Sequence, residues 1–496
     1  MKNLKLSTIH IIILLALGAV IGIYLISTTT VIAKDGVTFI EYAKKVRAAP
    51  ISTMTRKYQH PGYPLLILAA YEIASVLYEG VSIWSWIYCA QGVALTFRLL
   101  AIMAVYFIGR DLVGAELSFW GVLILVFLPK PAEYGSDALS DWPHIFFLAV
   151  GVWLLMRAAN GKWWLFGFSG LTAGMGYLIR PECAQVVVFG SFWLGLQLLW
   201  SKRTMCKREA LCAMALLLVG FLLTAGSYMK LKGAVFPKKQ LVSGFRTREV
   251  CEQRMQIHSN SPGVAGFASS EIARGFGKLV ERVGDTLMWF FVPALLLGIY
   301  GHFRKCDWYR PEKFFIMALV VLNIPLMVVL YCKYDYMSRR HTMPLVIFTI
   351  FYASAGLQAM GAWLQGKLSK EVEKPSKIKT NETTWFLVLL AIGISVCIPK
   401  LLTPIHTTKQ RFRDVAQWLA THTDTKDIVA VPDIRISFYA QRKGVICKAG
   451  QVPKKAQYIV REFKAGEAIF LGQLDNIEHE YVDQANGNRV IIYRNL

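Results

Sequence analysis

Apolar runs long enough to cross a lipid bilayer recur along most of the chain. A crossing helix needs roughly 20 mostly apolar residues, and eleven such spans are predicted. They lie at about 9–32, 86–108, 116–130, 141–156, 164–179, 183–199, 210–228, 286–302, 314–331, 342–365 and 384–399. Only 18% of the 496 residues are charged, against about 25% in soluble domains. The sequence therefore predicts an α-helical polytopic membrane protein and excludes soluble and disordered classes.

The distribution of Lys and Arg predicts the orientation in the membrane. The net charge is +23, and basic residues in short connections mark the cytoplasmic side. If the apolar run at 62–80 stays on the outer surface and the N-terminus is cytoplasmic, the basic connections all fall inside. These connections are 110–111, 157–162, 202–208, 304–313 and 367–379. We therefore expect 62–80 to form an interfacial helix with Glu72 and Glu79 toward water, and the charge requires no nucleic-acid partner.

The same topology divides the chain into two predicted domains. A transmembrane domain covers 1–400, with outer loops at about 33–85 and 229–285. A small extracytoplasmic α/β domain covers 401–496. In this tail RFRDVAQWLATH predicts a helix, and DIVAVPD and VIIYRN predict strands.

The cysteines and glycines of the predicted spans are interpreted as helix-packing residues and not as catalytic or metal-binding ones. The nine Cys include no CxxC pair, and most lie in or beside apolar runs, which is typical of small buried hydrophobes. Gly170 and Gly174 have the small-xxx-small spacing that lets two helices approach closely. Cys251 and Cys447 both lie outside in this topology, and whether they form a disulfide stays open.

Ionisable and polar residues converge on the predicted outer face. Residues of this kind near membrane depth are costly and indicate function by default. They lie directly after the first span, at the start of the interfacial helix, in the turns after the third and fifth spans, and directly before the tenth span. One Arg also lies within the second span. In chain order they are Asp35, His60, Arg98, Glu133, Tyr134, Asp137, Asp141, Arg180, Glu182, Asp335, Arg339, Arg340 and His341.

Several of these residues also have a purely structural interpretation. Asp35 would cap a helix, and Arg180 would anchor the end of a span by reaching the interface. Arg98 would pair with a neighbouring helix. Asp137 and Asp141 are four residues apart and would share one helical face, as solvated acids.

Carboxylates and guanidiniums at one membrane face suit the transfer of a sugar from a lipid phosphate. The acceptor hydroxyl must lose its proton to a base. The departing phosphate needs cations, which Arg supplies in bidentate geometry. A phosphate leaving group needs no acid, so one well-positioned carboxylate is enough.

Five segments of the membrane region carry a family resemblance. They are DGVTFIEYA, HPGYPLLI, RLLAIMAVYFIGRDLVGAE, YGSDALSDWPHIFFL and GLTAGMGYLIRPE. In order and spacing they resemble the GT-C superfamily of polyprenyl-phosphate-sugar-dependent glycosyltransferases, in the branch of protein O-mannosyltransferases and lipid A aminoarabinose transferases (glycosyltransferase family 39-like). The resemblance covers the first span to about residue 200 and returns near 331–345. The tail also resembles the small outer domain of many bacterial members.

The resemblance implies an inverting transferase that uses a lipid-linked monosaccharide. Asp35 matches the first-loop acid, which acts as catalytic base or orients the acceptor. Relatives often have a second acid beside it, whereas this chain has Gly36, which argues against a two-acid metal site. The predicted donor- and phosphate-binding residues are His60, Arg98, Arg180, Arg339 and Arg340. The predicted sugar- and acceptor-site residues are Tyr134, Asp137, Asp141 and Glu182.

We therefore predict a cell-membrane glycosyltransferase that moves a monosaccharide from polyprenyl phosphate to an extracytoplasmic lipid, protein or glycan. The chemistry requires no cofactor, although a divalent cation between Asp35, Asp137 and Asp141 stays open. The alternative is a lipid-linked-sugar flippase or other transporter, which usually has repeated halves and a polar path. The sequence has no repeat and few charges within its spans. A noncatalytic scaffold would leave the clustered outer acids unexplained.

Overall fold

The structure is a computed structural model of the chain. It describes residues 2–57, 59–77, 82–199, 205–234, 269–304, 310–371, 382–447, 455–466, 477–482 and 487–495. Glu79 and Cys251, which entered the sequence predictions, lie outside these ranges.

A long series of helices forms the first four fifths of the molecule. In chain order they are α1 (Lys2–Thr28), α2 (Lys34–Ala48), α3 (Pro50–Arg56), α4 (Gly62–Leu77), α5 (Ile83–Val113), α6 (Ala115–Phe127), α7 (Pro129–Tyr134), α8 (Asp141–Ala159), α9 (Leu165–Ile179), α10 (Gln185–Leu199), α11 (Lys207–Lys232), α12 (Ser269–Thr286), α13 (Phe291–Phe303), α14 (Pro311–Tyr334), α15 (Arg339–Glu371) and α16 (Glu382–Leu401). The predicted α-helical fold is confirmed.

Within the described residues, eight helices are long and apolar enough to cross a membrane, or nine if the bent pair α12–α13 is one span. Two shorter apolar helices, α6 and α9, occupy the third and fifth predicted spans. The molecule is therefore a multi-pass membrane protein, as expected. Length and composition do not confirm the count of eleven spans.

The predicted eighth span, 286–302, differs most from expectation. α12 covers the end of the predicted outer loop, and α13 leaves it at an angle of 107°. At the break Met288 and Trp289 have φ values of 56° and 57°, a left-handed conformation that a continuing helix does not adopt. The apolar run therefore turns sharply at its start.

The first predicted outer loop is built from three helices. α4 is the predicted interfacial helix, and it packs on α2 and α5. Its Tyr71 is buried, whereas the neighbouring Glu72 is half-exposed and pairs with Arg47 of α2 at 2.8 Å. Glu72 is thus at the surface of the molecule, and its orientation toward water stays a prediction.

α9 and α11 pack closely along a line of glycines. A Cβ on Gly174 would lie 2.7 Å from the Phe221 carbonyl oxygen, and one on Gly170 would lie 3.0 Å from the Phe221 backbone nitrogen. A side chain at either position would force the two helices apart. The predicted small-residue packing is confirmed, and it fixes the end of α9, where Arg180 follows.

The C-terminal domain is a small mixed sheet with two helices. Its elements are α17 (Gln410–His422), β1 (Ile428–Val431), α18 (Ile434–Ala440), β2 (Lys443–Ile446), β3 (Tyr458–Phe463), β4 (Ile477–Val482) and β5 (Arg489–Arg494). The strand order is β2-β1-β3-β5-β4. β1 is parallel to β2 and β3, whereas β5 is antiparallel to β3 and β4. The predicted helix and both predicted strands are confirmed.

This domain contacts the chain that enters α2. The Ile32 amide donates to the Tyr439 hydroxyl at 3.0 Å. The Thr30 amide and hydroxyl both donate to the Ile405 carbonyl oxygen, at 3.2 and 2.8 Å. The start of α2, which carries Asp35, is therefore held against the C-terminal domain.

Candidate active site

A polar cavity of about 330 Å³ lies beside the start of α2. Its walls come from α2, the segment before α4, the turns that flank α8 and α9, and the segment that leads into α15. The lining residues are Asp35, Thr38, Phe39, Gln59, His60, Ser140, Ile179, Arg180, Pro181, Glu182, Tyr336, Ser338, Arg340 and His341. Half of the ten predicted site residues line this cavity: Asp35, His60, Arg180, Glu182 and Arg340.

Asp141 forms ion pairs with both arginines that line the cavity, Arg180 and Arg340. It is the first residue of α8, and its side chain is only 2% exposed. Its Oδ1 lies 2.9 Å from Arg180 Nη2, and its Oδ2 accepts from Arg340 Nε at 2.9 Å and Nη2 at 2.8 Å. One buried carboxylate thus brings together guanidiniums from two distant segments.

Asp35 lies in the first turn of α2, at the open side of the cavity. Its side chain is 57% exposed, and its Oδ2 accepts from Arg340 Nη1 at 2.6 Å. Arg340 therefore bridges Asp35 and Asp141. The neighbouring Gly36 packs against Ala138, because a Cβ there would lie 2.8 Å from the Ala138 carbonyl oxygen. A second acid at position 36 would not fit this contact.

Asp137 contacts backbone and the C-terminal domain rather than the cavity. Its carboxylate accepts from the Ala33 amide at 3.0 and 3.2 Å and from the Ala138 amide at 2.7 Å. Its Oδ2 lies 3.1 Å from His406 Nε2. The expectation that Asp137 and Asp141 share a helical face is wrong, because the residues between α7 and α8 form a turn.

His60 is buried at the cavity wall next to two tyrosine rings. Its ring centroid lies 5.1 Å from that of Tyr177 and 5.3 Å from that of Tyr228. The following Gly62 lies against the end of α9, since a Cβ there would lie 2.7 Å from the Leu178 carbonyl oxygen. This close approach explains the glycine of HPGYP and brings His60 to the wall that Arg180 also lines.

Two predicted arginines lie outside the cavity lining. Arg339 donates to Asp285 Oδ2 from Nε at 3.0 Å and from Nη2 at 2.7 Å, so it joins α15 to α12. Arg98 is fully buried, and its Nη2 donates to the Val126 carbonyl oxygen at 3.1 Å. Arg98 thus joins α5 to α6.

Tyr134 also lies outside the cavity lining, at the end of α7. Its burial, and then the nearby Glu133 and Asp141 carboxylates, raise the pKa of its hydroxyl above the usual value. The hydroxyl is therefore protonated at neutral pH. A similar effect of burial raises the pKa of Tyr439, which accepts from the Ile32 amide, to about 12.

The structure adds residues that the predicted site did not include. Tyr336 and Ser338 line the cavity from the segment before α15, and His341 lines it from the first turn of that helix. The Arg340 amide donates to Ser338 Oγ at 3.0 Å, and the Ser338 amide donates to His341 Nδ1 at 3.3 Å. Ser directly before a helix is a recognised N-terminal pattern, so MSRRH carried a sequence signal for this turn.

The three acids considered as ligands for a divalent cation do not converge. Asp35 contacts Arg340, Asp137 contacts the Ala33 amide and His406, and Asp141 contacts Arg180 and Arg340. In the part of the chain that the structure describes, no group of three or more His, Cys, Asp or Glu side chains is arranged to hold a metal ion. These residues do not fit a three-acid metal site.

Residues 59–225 match the model of the dolichyl-phosphate-mannose-protein mannosyltransferase family. The matched stretch runs from the residue before His60, through the start of α8 at Asp141, to α11. No curated protein sequence matches the chain.

Three solved structures are similar to the whole fold. ArnT from Cupriavidus metallidurans in the apo state has a TM-score of 0.59 and 14% identity, covering 99% of this chain and 98% of that one. The same protein bound to undecaprenyl phosphate has a TM-score of 0.58 and 14% identity, covering 98% of each chain. The oligosaccharyltransferase AglB from Archaeoglobus fulgidus, in complex with an inhibitory peptide and a dolichol-phosphate, has a TM-score of 0.53 and 11% identity. The match covers 88% of this chain and 64% of AglB.

The family match and the structural similarities agree with the resemblance found in the sequence. The matching family and these structural relatives are glycosyltransferases. The predicted resemblance and enzyme class are thereby confirmed. The chain has the fold of the GT-C superfamily of glycosyltransferases, and residues 59–225 carry its match to the protein mannosyltransferase branch.

Proposed function

We propose that the chain transfers a monosaccharide from a polyprenyl phosphate to an extracytoplasmic acceptor, with Asp35 as the base. The observation that carries this proposal is the contact of the Arg340 guanidinium with both Asp35 and Asp141 beside one cavity. A base and a phosphate-binding cation side by side are what displacement at an anomeric carbon needs. The acceptor is a lipid, a protein or a glycan.

The proposed reaction is a single displacement that inverts the anomeric centre. The acceptor hydroxyl gives its proton to the Asp35 carboxylate, and its oxygen attacks the anomeric carbon. The bond from that carbon to the phosphate oxygen breaks, and its electron pair leaves with the phosphate. The products are the glycosylated acceptor and polyprenyl phosphate. Arg340 and Arg180 stabilise the charge that develops on the departing phosphate.

The structural relatives support a polyprenyl-phosphate donor. ArnT is bound to undecaprenyl phosphate and AglB to a dolichol-phosphate in their solved complexes. In our proposal His60 lies beside the donor phosphate and Glu182 faces the sugar, because both line the cavity of Asp35. The proposal needs no divalent cation.

The proposed orientation follows the basic connections. The N-terminus is cytoplasmic, and the cavity and the C-terminal domain lie outside. In this proposal residues 1–400 form the catalytic membrane domain, and 401–496 form the domain that fixes the entry to α2.

The test uses the full chain in lipid nanodiscs with a radiolabelled undecaprenyl-phosphate monosaccharide and a cell-envelope extract as acceptor. Asp35→Asn is expected to lower transfer at least a thousandfold at unchanged protein abundance, because the acceptor hydroxyl loses its base. Asp285→Asn is the matched control, since Asp285 pairs with Arg339 outside the cavity lining; it is expected to keep at least half of the activity. Full transfer by Asp35→Asn would remove the assignment of the base.

A second measurement separates the enzyme from the transporter alternative. The chain is reconstituted in vesicles with labelled donor on one side. Label that appears on an acceptor supports transfer. Label that crosses the bilayer while still bound to the polyprenyl phosphate, with no acceptor product, supports a flippase instead.

A further inference from the structure

A second and larger cleft, of about 530 Å³, lies between α2 and the C-terminal domain. One wall consists of α2 and the segment after α3, and the other of α18 and the start of β2. Both walls carry cations. Those lining the cleft are Lys44, Lys45, Lys57, Arg442 and Lys443, and the carboxylate that lines it is Glu41.

Most of this positive charge has no carboxylate partner in the described part of the chain. Glu41 is engaged with Lys44 at 3.0 Å. No described carboxylate lies within 4.0 Å of the Lys45, Lys57 or Lys443 ammonium. Burial, and then the nearby Lys45, lower the pKa of Lys57 from its usual value, and Glu41 only partly opposes this. The cleft therefore holds like charges that an entering anion would relieve.

Arg442 is rigidly held on the second wall. Its guanidinium donates to the carbonyl oxygens of Ala440, Ala420 and Thr423 at 2.7 to 3.1 Å, and to the Thr423 hydroxyl at 3.0 Å. These bonds fix its position, and no described carboxylate lies within 4.0 Å of its guanidinium. A fixed guanidinium opposite the ammonium groups of Lys45 and Lys57 is a suitable arrangement for a multiply charged anion.

The cleft and the candidate active site both lie against α2. Thr38 lines both cavities, and α2 runs from one to the other. Asp35 lies at the first cavity and Lys45 at the second, ten residues further along the helix. At 1.5 Å per residue the two side chains are separated by about 15 Å along the helix axis. A single extended acceptor can therefore reach both cavities.

We infer that this cleft binds a phosphate group of the acceptor, about 15 Å from the hydroxyl that receives the sugar. The inference rests on the proposed function, because it takes Asp35 to mark the site of transfer. Four cations without a carboxylate partner face the cleft, Lys45, Lys57, Arg442 and Lys443, and this number suits a phosphate dianion. The phosphate belongs to a lipid or to a soluble glycan, and the two sources share this chemistry.

The first experiment measures anion binding without any transfer. Labelled inorganic pyrophosphate is titrated onto the purified full chain in the presence of saturating undecaprenyl phosphate, which occupies the arginine cavity. Saturable binding is expected, and the double variant Lys45→Gln/Lys443→Gln is expected to weaken it at least tenfold. The matched control Lys162→Gln/Lys426→Gln removes the same charge from exposed positions outside the cleft and is expected to change binding less than twofold.

Two outcomes of this titration overturn the inference. In one, undecaprenyl phosphate abolishes pyrophosphate binding altogether, which assigns the anion to the arginine cavity. In the other, the cleft variant and the control weaken binding equally, which assigns the effect to net charge.

The second experiment determines the charge of the transfer product. Labelled donor is incubated with cell-envelope membranes that contain the chain, and the product is applied to an anion-exchange resin. An anionic product that phosphatase converts to a neutral one is expected. Extraction into organic solvent identifies the lipid source, and recovery in water identifies the soluble glycan. A neutral product overturns the inference but leaves the proposed function intact, whereas no product at all contradicts the proposed function.

Discussion

At the scale of single residues, two adjacent arginines have separate tasks. Arg340 contacts Asp35 and Asp141 beside the cavity, whereas Arg339 contacts Asp285 on α12. The sequence alone does not distinguish them, because both precede the same span. Their difference follows from the turn at Ser338, from which successive side chains of α15 point in different directions.

This difference predicts unequal effects on donor binding. Arg340→Gln is expected to weaken the binding of undecaprenyl phosphate at least tenfold, about 1.4 kcal/mol, because in the proposed function this guanidinium contacts the donor phosphate. Arg339→Gln is expected to change it less than twofold. Titration of labelled undecaprenyl phosphate onto each purified variant measures both values. Equal losses would mean that the cavity is not the donor site.

Asp141 is predicted to be important for stability as well as for activity. Asp141→Asn leaves two guanidiniums without their buried carboxylate, and such losses cost about 3–5 kcal/mol in fully buried pairs. Because the Arg180 and Arg340 side chains are each 21% exposed, we expect a smaller loss of about 2–3 kcal/mol. Thermal unfolding of the detergent-solubilised chain measures it.

The control for this variant is Asp111→Asn. Asp111 also pairs with an arginine, Arg157, at 2.9 Å, but this arginine is 39% exposed. A loss below about 1 kcal/mol is expected there. An equally small loss in Asp141→Asn would show that Asp141 does not hold the two arginines in solution.

How much of the site the sequence predicts depends on the length of chain between partners. Asp35, His60, Arg180 and Arg340 are recognisable because each lies at the end of an apolar run, where a polar residue is conspicuous. The contact of Asp137 with the Ala33 amide is not predictable in this way, because it joins a carboxylate to a backbone group 104 residues away. Such a contact leaves no pattern in either segment.

At the scale of helices and strands, the close packing of α9 against α11 gives a sharp prediction. Gly174→Ala is expected to destabilise the chain by about 2 kcal/mol or more, because the added methyl group meets the Phe221 carbonyl oxygen. Gly195→Ala on α10 is the matched control, since its Cβ would meet nothing within 4 Å. Removing a glycine from a helix there is expected to stabilise by about 0.5–1 kcal/mol. Thermal unfolding of both variants measures these changes in stability, which are expected to have opposite signs.

Whether a segment forms a helix or a strand is predictable where one spacing of apolar residues extends over the whole segment. The tail helix and the strands β1 and β5 follow from their patterns of apolar residues. The bend between α12 and α13 was not predictable, because the apolar run continues through it. Only the left-handed backbone at Met288 and Trp289 marks the turn.

At the scale of the whole molecule, the number of spans depends on α6 and α9. α6 has 13 residues and is only about 20 Å long, against a hydrocarbon core of about 30 Å. If α6 crosses, the connection after α8 is cytoplasmic; if it does not, this connection lies outside. One measurement therefore decides between the two topologies.

We predict that α6 crosses. Alkaline phosphatase, which is active only outside the cytoplasm, is fused after Gly161, after Gly233 and at the C-terminus. Low activity is expected at the first position and high activity at the other two, because the basic residues of 157–162 favour the cytoplasmic side. High activity after Gly161 would contradict the eleven-span topology.

The bonds between the entry to α2 and the C-terminal domain also have a consequence for biosynthesis. Thr30 and Ile405 are 375 positions apart, and Ile32 and Tyr439 are 407 apart. Proteins are synthesised at about 5–20 residues per second, so on the order of tens of seconds separate the emergence of these partners. During that interval α2 lacks the contacts that position Asp35. The contacts at the entry to α2 are therefore completed only after the membrane helices have been synthesised, and a chain truncated before Ile405 would lack them.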